Sequence, residues 1–191
     1  PEISLNDRQM CDLELLAIGG FSPLTGFMVR SDYESVLDRM RLQDNSLWPL
    51  PICLDVSERK AVSLEVGQSV ALRDPEGFLL AVMHIEDIWP ADREKEARLV
   101  YQTLDKRHPG VAYLLEKTGD YYVGGPLEVI SCPLHFDFKQ LRMTPEEVRG
   151  IYAKLGWSRV VGFQTPNPLH RFQFEMTMRA MHQARANLLL M

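Results

Sequence analysis

Cysteine is scarce in this chain: Cys11, Cys53 and Cys132 are the only three in 191 residues. They are odd in number, widely separated and contain no CxxC pair, which excludes a disulfide framework and a paired-cysteine zinc site and suits a reducing, cytoplasmic compartment. Long hydrophobic runs are missing too. The longest, Phe78 to Met83 and Leu188 to Met191, fall far short of the ~20 residues a membrane helix needs, so no membrane partner is expected. The start, Pro1-Glu-Ile-Ser-Leu-Asn6, has neither a basic flank nor an apolar segment, so it does not read as a signal peptide. An excess of basic charge is lacking as well. There are 21 Lys and Arg against 26 Asp and Glu, net -5, with the signs interspersed; no basic stripe offers itself to nucleic acid.

What is there is ordinary globular composition, 46% apolar and 25% charged. A chain of this size can hide roughly 70% of its unfolded surface, so its core needs no disulfide or structural metal. No internal repeat or low-complexity tract interrupts it.

Residues 6 to 17 read as a helix with Asn6 as its cap and Met10, Leu13 and Leu16 on one face, stopped by Gly19 and Gly20. A loop follows that carries apolar side chains among turn residues. The pattern Ser31-Asp-Tyr-Glu34 is that of a capping box and predicts a second helix to about Arg41. From about Leu47 to Asp87 the chain turns to short β-rich runs over 52–56, 69–73 and 78–85, and Asp74-Pro-Glu-Gly77 marks a hairpin. Helical patterns return over 91–103 and 109–117, then 121–125 and 127–131 read as strands. The class is α+β with a strand-rich centre.

A domain boundary is expected within residues 132–143, dividing the chain into 1–135 and 136–191. Beyond it Thr144-Pro-Glu-Glu147 supplies an N-cap, a proline at the first helical position and a capping-box glutamate, and Gly156 supplies the stop. A buried strand over 159–163, a proline loop over 164–168, a helix over 169–186 and an apolar strand over 188–191 form a βαβ unit. Parallel sheets ordinarily have several strands and both faces covered, so the chain reads as the N-terminal part of a longer protein.

Gln164-Thr-Pro-Asn-Pro-Leu-His-Arg171 occupies the place where α/β proteins bind ligands, at the carboxyl end of a strand and the N-terminus of a helix. Two amides, a hydroxyl, an imidazole and a guanidinium fall within eight residues, and two prolines stiffen the loop. The arrangement suits phosphate or sulfate. The same residue types also suit a helix cap, and neither a P-loop nor a GxGxxG pattern is present.

Several segments together resemble ATP sulfurylase (sulfate adenylyltransferase) along essentially the whole chain. They are Asp7-Arg-Gln-Met-Cys-Asp-Leu-Glu-Leu-Leu16, Gly20-Phe-Ser-Pro-Leu-Thr-Gly-Phe-Met28, Leu47-Trp-Pro-Leu-Pro-Ile52, His108-Pro-Gly-Val111, Tyr121-Tyr-Val-Gly-Gly125 and Val160-Val-Gly-Phe-Gln-Thr-Pro-Asn-Pro-Leu-His-Arg171. The resemblance implies a β-rich PUA-like N-terminal domain followed by the first βαβ unit of a Rossmann-like nucleotidyltransferase domain. It implies a reaction of ATP with sulfate to give adenylyl sulfate and pyrophosphate, with magnesium carried by the nucleotide and no protein-held metal. It makes Thr165, Asn167 and His170 the catalytic residues and Gln164 a sulfate contact, with ATP bound by Asn167, Pro168, Leu169, His170 and Gln173. A homo-oligomer is possible in the full-length protein, and the truncated chain is expected to be inactive.

Two positions depart from the family. Pro166 stands where the family has a sulfate-binding arginine, and Gln173 where it has the second histidine of a His-x-x-His signature. A guanidinium offers paired donors and a permanent charge, whereas proline offers neither; an amide can still donate to a phosphate oxygen but cannot become cationic. The departures support an alternative, a non-catalytic assembly or regulatory module with a degenerate nucleotide site. Other polar residues read as structural: His84 in a strand, His108 as a helix cap, His135 and His182 without metal-spaced partners, and Asp92, Glu94 and Glu96 as a solvated helix face. Phe172 and Phe174 with Met176, Met178 and Met181 read as core packing.

Overall fold

Asn6 and Gln9 close the first helix, α1 (Asp7–Ala17), as a reciprocal box. Asn6 Oδ1 accepts from the Gln9 N–H at 2.9 Å, and Gln9 Oε1 accepts from the Asn6 N–H at 3.0 Å. The Gln9 amide group then donates to the carbonyl and the carboxylate of Asp55, at 2.9 and 2.8 Å, tying the helix start to the sheet. The second helix, α2 (Arg30–Arg39), is not opened by the Ser31–Glu34 pattern. Its cap is Val29, the Arg30 N–H donates to the Asp87 carboxylate at 3.1 Å, and Glu34 instead pairs with the Arg30 guanidinium at 2.8 Å.

The computed structural model describes residues 1–190, and the chain falls into two units, Pro1–Asp137 and Phe138–Met191. The first is built on seven strands: β1 (Glu2–Ser4), β2 (Gly26–Phe27), β3 (Leu54–Val56), β4 (Ser69–Arg73), β5 (Leu79–His84), β6 (Asp87–Pro90) and β7 (Tyr121–Val129). β1, β4, β5, β7 and β2 run side by side in that order, and β3 and β6 also pair with β7. The β4–β5 hairpin turns where the sequence places it, with the Gly77 N–H donating to the Asp74 carbonyl and the Phe78 N–H to the Asp74 carboxylate.

β7 is one continuous strand rather than two: Pro126, which divides the two expected runs, lies within it opposite Gly26, and the glycines before it let the strand run through a crowded centre. A Cβ on Gly124 would meet the Met28 carbonyl, and one on Gly125, whose φ is +154°, would meet the His84 carbonyl. Four strands pair with this one. Around it sits the core, where Phe27, Leu54, Val70, Leu72, Met83 and Val123 are fully buried.

Several details of this unit were not anticipated. The strand β1, a short helix α3 (Glu58–Val62) capped by Ser57, and the strand β6 lie in stretches that were given no element, and β2 lies in the segment read as a loop. The single helix expected over 91–103 is instead a short α4 (Arg93–Glu96) and a π-helical turn (Ala97–Tyr101) closed by Gln102 in the left-handed region. The helix α5 (Pro109–Glu116) begins as expected, with the His108 ring accepting from the Val111 N–H.

In the second unit α6 (Pro145–Leu155) starts on Thr144, whose hydroxyl accepts from the Glu147 N–H while Glu147 accepts from the Thr144 N–H, and stops at Gly156 in the left-handed region. β8 (Val160–Phe163) and β9 (Asn187–Leu190) pair in parallel across α7 (Arg171–Ala184), in the register Val160 to Asn187. This is the expected βαβ unit, with α7 two residues shorter at each end than the pattern predicts; the last residue of the expected strand, Met191, lies outside the described residues. Thr177 is the single buried side chain among the described residues of this unit, and Phe172, Phe174 and Met176 are exposed rather than packed in a core. The architecture is α+β.

Candidate active site

Residues 164–170 leave the carboxyl end of β8 and enter the first turn of α7. The first turn of a helix leaves N–H groups without intrahelical partners and carries partial positive charge; no acidic residue lies in this one. Gln164, Asn167 and His170 are exposed, and Thr165 and Gln173 are half-buried. Two local contacts shape the segment. The Asn167 N–H donates to Thr165 Oγ1 at 3.2 Å, and that hydroxyl lies 3.3 Å from the Asn167 carbonyl it donates to, a turn that holds both residues to one side of Pro166. At the helix entry the His170 N–H donates to Gln173 Oε1 at 3.0 Å. Gln173 therefore spends its acceptor on the helix start and keeps its NH2 for donation.

The loop thus gathers Gln164, Thr165, Asn167 and His170 with Gln173 at one helix entrance. Pro166, exposed, contributes no donor and no charge, and Pro168 and Leu169 complete the path into α7. What the arrangement can do is present neutral donors and helix N–H groups to an anion. It contains no carboxylate, the charged ligand that sites for hard cations ordinarily include. Among the described residues there is no group of three or more His, Cys, Asp or Glu positioned to share a metal.

Comparison with known proteins decides the family. Residues 1–132 match the model of the PUA-like domain, and residues 139–191 match that of ATP-sulfurylase. The chain belongs to the PUA-like domain family over residues 1–132, and its remainder is similar to ATP-sulfurylase. It is 45% identical to the sulfate adenylyltransferase of Mycosarcoma maydis over 100% of this chain and 34% of that protein, and 47% identical to that of Aspergillus fumigatus over 100% of this chain and 33% of that protein. Among solved structures it resembles the "Hexameric APS kinase from Thiobacillus denitrificans", with a TM-score of 0.78 and 33% identity over 100% of this chain and 33% of that one. The chain therefore spans about a third of the length of the relatives it matches.

A second polar cluster, in the first unit, escaped the sequence reading. Glu96 is not on a solvated face: it is 8% exposed, and its Oε2 accepts from the hydroxyls of Tyr33 at 2.9 Å and Tyr122 at 2.8 Å. Burial raises its pKa, and the two tyrosine hydrogen bonds pull it partly back. Asp92, by contrast, is an exposed helix cap that accepts from the Lys95 N–H. Burial also raises the pKa of Asp12, against the pull of the Arg8 guanidinium one helical turn away. The i, i+4 spacing of Arg8 and Asp12 was a legible sign of that pair; nothing local signalled the tyrosines of Glu96. His135, which has no metal-spaced partner in the sequence, has its Nε2 2.7 Å from Glu14 Oε1.

Proposed function

We propose that this chain is the amino-terminal part of a sulfate adenylyltransferase, in which residues 164–170 and the entry of α7 hold the reacting anions. The observation that carries the reading is the family match over residues 139–191, coinciding with a carboxylate-free, donor-bearing loop at a helix N-terminus. In the reaction a sulfate oxygen attacks the α-phosphorus of ATP; the new S–O–P linkage forms as the α–β phosphoanhydride breaks, and pyrophosphate leaves. Little covalent work falls to the protein. Gln164 would contact sulfate, Thr165 and Asn167 would stand at the reacting phosphate, and His170, Pro168, Leu169 and Gln173 would line the path of the ATP phosphates. Their task is to position the two anions and to offset charge on the phosphate oxygens, the largest contributions available to such transfers. Because the loop supplies no carboxylate, magnesium would arrive on the triphosphate and leave with pyrophosphate.

We place the protein in the cytoplasm on its cysteine usage; no helix among the described residues is long and apolar enough to cross a membrane. A homo-oligomer of the longer protein is supported by the solved relative named as hexameric. A second reading has its own support: Pro166 removes the charged sulfate ligand, and that same relative is named for a kinase rather than a sulfurylase. In that reading the loop is a degenerate site within an assembly module. Sulfate-dependent release of pyrophosphate from ATP separates the two. A protein of the relatives' length carrying this chain should release it and the isolated chain should not, since losing even one preorganised donor can cost ~10²-fold or more in rate. No release from the longer protein favours the module.

A further inference from the structure

β1 is the end strand of its sheet, paired in parallel with β4 and with no strand beyond it among the described residues. The Pro1 carbonyl accepts from the Ala71 N–H at 3.1 Å, and the Leu5 N–H donates to the Arg73 carbonyl at 2.8 Å. Backbone groups alternate sides along a strand, so Pro1, Ile3 and Leu5 serve β4 while the N–H and C=O groups of Glu2 and Ser4 turn away from it. Glu2 and Ser4 also line a groove of about 480 Å³ in the first unit. Its other wall is made by residues 55–57, by Arg59 and Lys60 of α3, and by Lys117. An uncovered edge of this kind is a template for another strand.

Charge narrows the occupant. The two carboxylates of the groove are engaged: Glu2 accepts from the Arg73 guanidinium at 2.9 Å, and Asp55 accepts from the Gln9 amide at 2.8 Å and from the Gly119 N–H at 2.7 Å. The three cations are not. Arg59 and Lys117 are exposed, Lys60 is half-buried, and among the described residues none of the three side chains forms an ion pair. A phosphate chain could use these cations, but the Glu2 and Ser4 carbonyls would face its oxygens, acceptor against acceptor. A second copy adding its own β1 would offer the cations only Glu2, already held by Arg73. A peptide strand supplies donors and acceptors in alternation, and acidic side chains answer the cations. We propose that this groove docks an extended acidic segment of a partner protein, which adds to β1 as a new edge strand, its backbone pairing with Glu2 and Ser4 and its carboxylates meeting Arg59, Lys60 and Lys117. Every residue of the groove belongs to the first unit, and the proposal does not depend on the function assigned to the loop.

The test uses the 191-residue chain and a fluorescently labelled hexapeptide of alternating Glu and Val, read by anisotropy. Binding should saturate below millimolar concentration, weaken as salt rises, and fall roughly tenfold or more for the counterpart of alternating Lys and Val. Arg59→Ser, Lys60→Ser and Lys117→Ser combined should cost the acidic peptide roughly tenfold, the loss of three exposed ion pairs. Ser4→Pro isolates the strand pairing, because it removes an N–H that faces the groove and none that serves β4. In a variant shown by thermal melting to be folded, it should weaken the peptide roughly fivefold or more, the effect of one backbone hydrogen bond. Should Ser4→Pro fail to fold, peptides N-methylated at alternate residues decide: one register of methylation should abolish binding and the other leave it intact. No saturation by the acidic peptide at millimolar concentration, equal affinity for the Lys peptide, or full affinity in folded Ser4→Pro overturns the proposal. So does binding of both methylated registers alike, tighter binding of a thymidine oligonucleotide than of the acidic peptide, or self-association of the chain that Ser4→Pro abolishes.

Discussion

Replacing Glu96 by glutamine should make the protein more stable at neutral pH and less sensitive to pH. Two hydroxyls, those of Tyr33 and Tyr122, donate to one oxygen of this carboxylate, and the two rings lie 5.4 Å apart with Trp89 against both. An amide oxygen can take the same two donors, so Glu96→Gln keeps the hydrogen bonds and removes the buried charge. Burial holds the Glu96 pKa above its ordinary value, so between the unfolded and folded values the native state keeps a proton the unfolded chain has lost. Stability from this group is therefore full below the unfolded value, ~4.3, and is lost as pH rises through the folded one. Tyr33→Phe and Tyr122→Phe act in the opposite sense. Each removes a hydrogen bond to a charged acceptor, a cost of about 1.5–3 kcal/mol, or roughly 2–4 °C of melting temperature per kcal/mol for a chain of this size. Because both bonds end on one oxygen, the double variant should not be the sum of the two. Urea unfolding of all five proteins from pH 4.5 to 8 measures this. A stability difference between wild type and Glu96→Gln that stays constant across that range, or tyrosine variants within about 0.5 kcal/mol of wild type, would refute the reasoning.

Other outcomes follow from the same structure. In a full-length protein Pro166→Arg should strengthen apparent sulfate affinity roughly ten- to a hundredfold, the value of a charge-assisted bond to an anion, and change ATP affinity less; the measurement is steady-state kinetics at fixed ionic strength. Limited proteolysis should cut first within residues 132–143, where Leu134, Phe136 and Phe138 are exposed, and leave a fragment of the first unit that still melts cooperatively. Gly125→Ala should prevent folding of that unit or unfold it at ambient temperature, because the added Cβ meets the His84 backbone rather than a side chain that could move; circular dichroism reads the result.

Features whose causes are local were legible in the sequence. Thr144, Pro145 and Glu147 open α6 within four residues, Asp74 and Gly77 turn the hairpin, and His108 caps α5. What escaped was decided by distant partners. Ser31 and Glu34 form a capping pattern, yet Asp87, far along the chain, satisfies the start of α2. Glu96 sits among charged neighbours, and only the arrival of Tyr33 and Tyr122 from other elements turns it inward. β7 reads as two runs divided by Pro126, and the carbonyls that Gly124 and Gly125 must clear, of Met28 and His84, belong to distant segments. The loop at 164–170 was legible because its residues are contiguous and shaped by contacts two or three positions apart.

The central claim is that residues 164–170 hold the reacting anions of sulfate adenylylation. Its most direct test is sulfate-dependent pyrophosphate release from ATP by a full-length protein carrying this chain, beside Asn167→Ala and His170→Ala variants shown to be folded. The account predicts release that falls ~10²-fold or more in each variant. Release that survives both substitutions, or an intact protein that shows none even when Pro166→Arg restores the guanidinium, would contradict it.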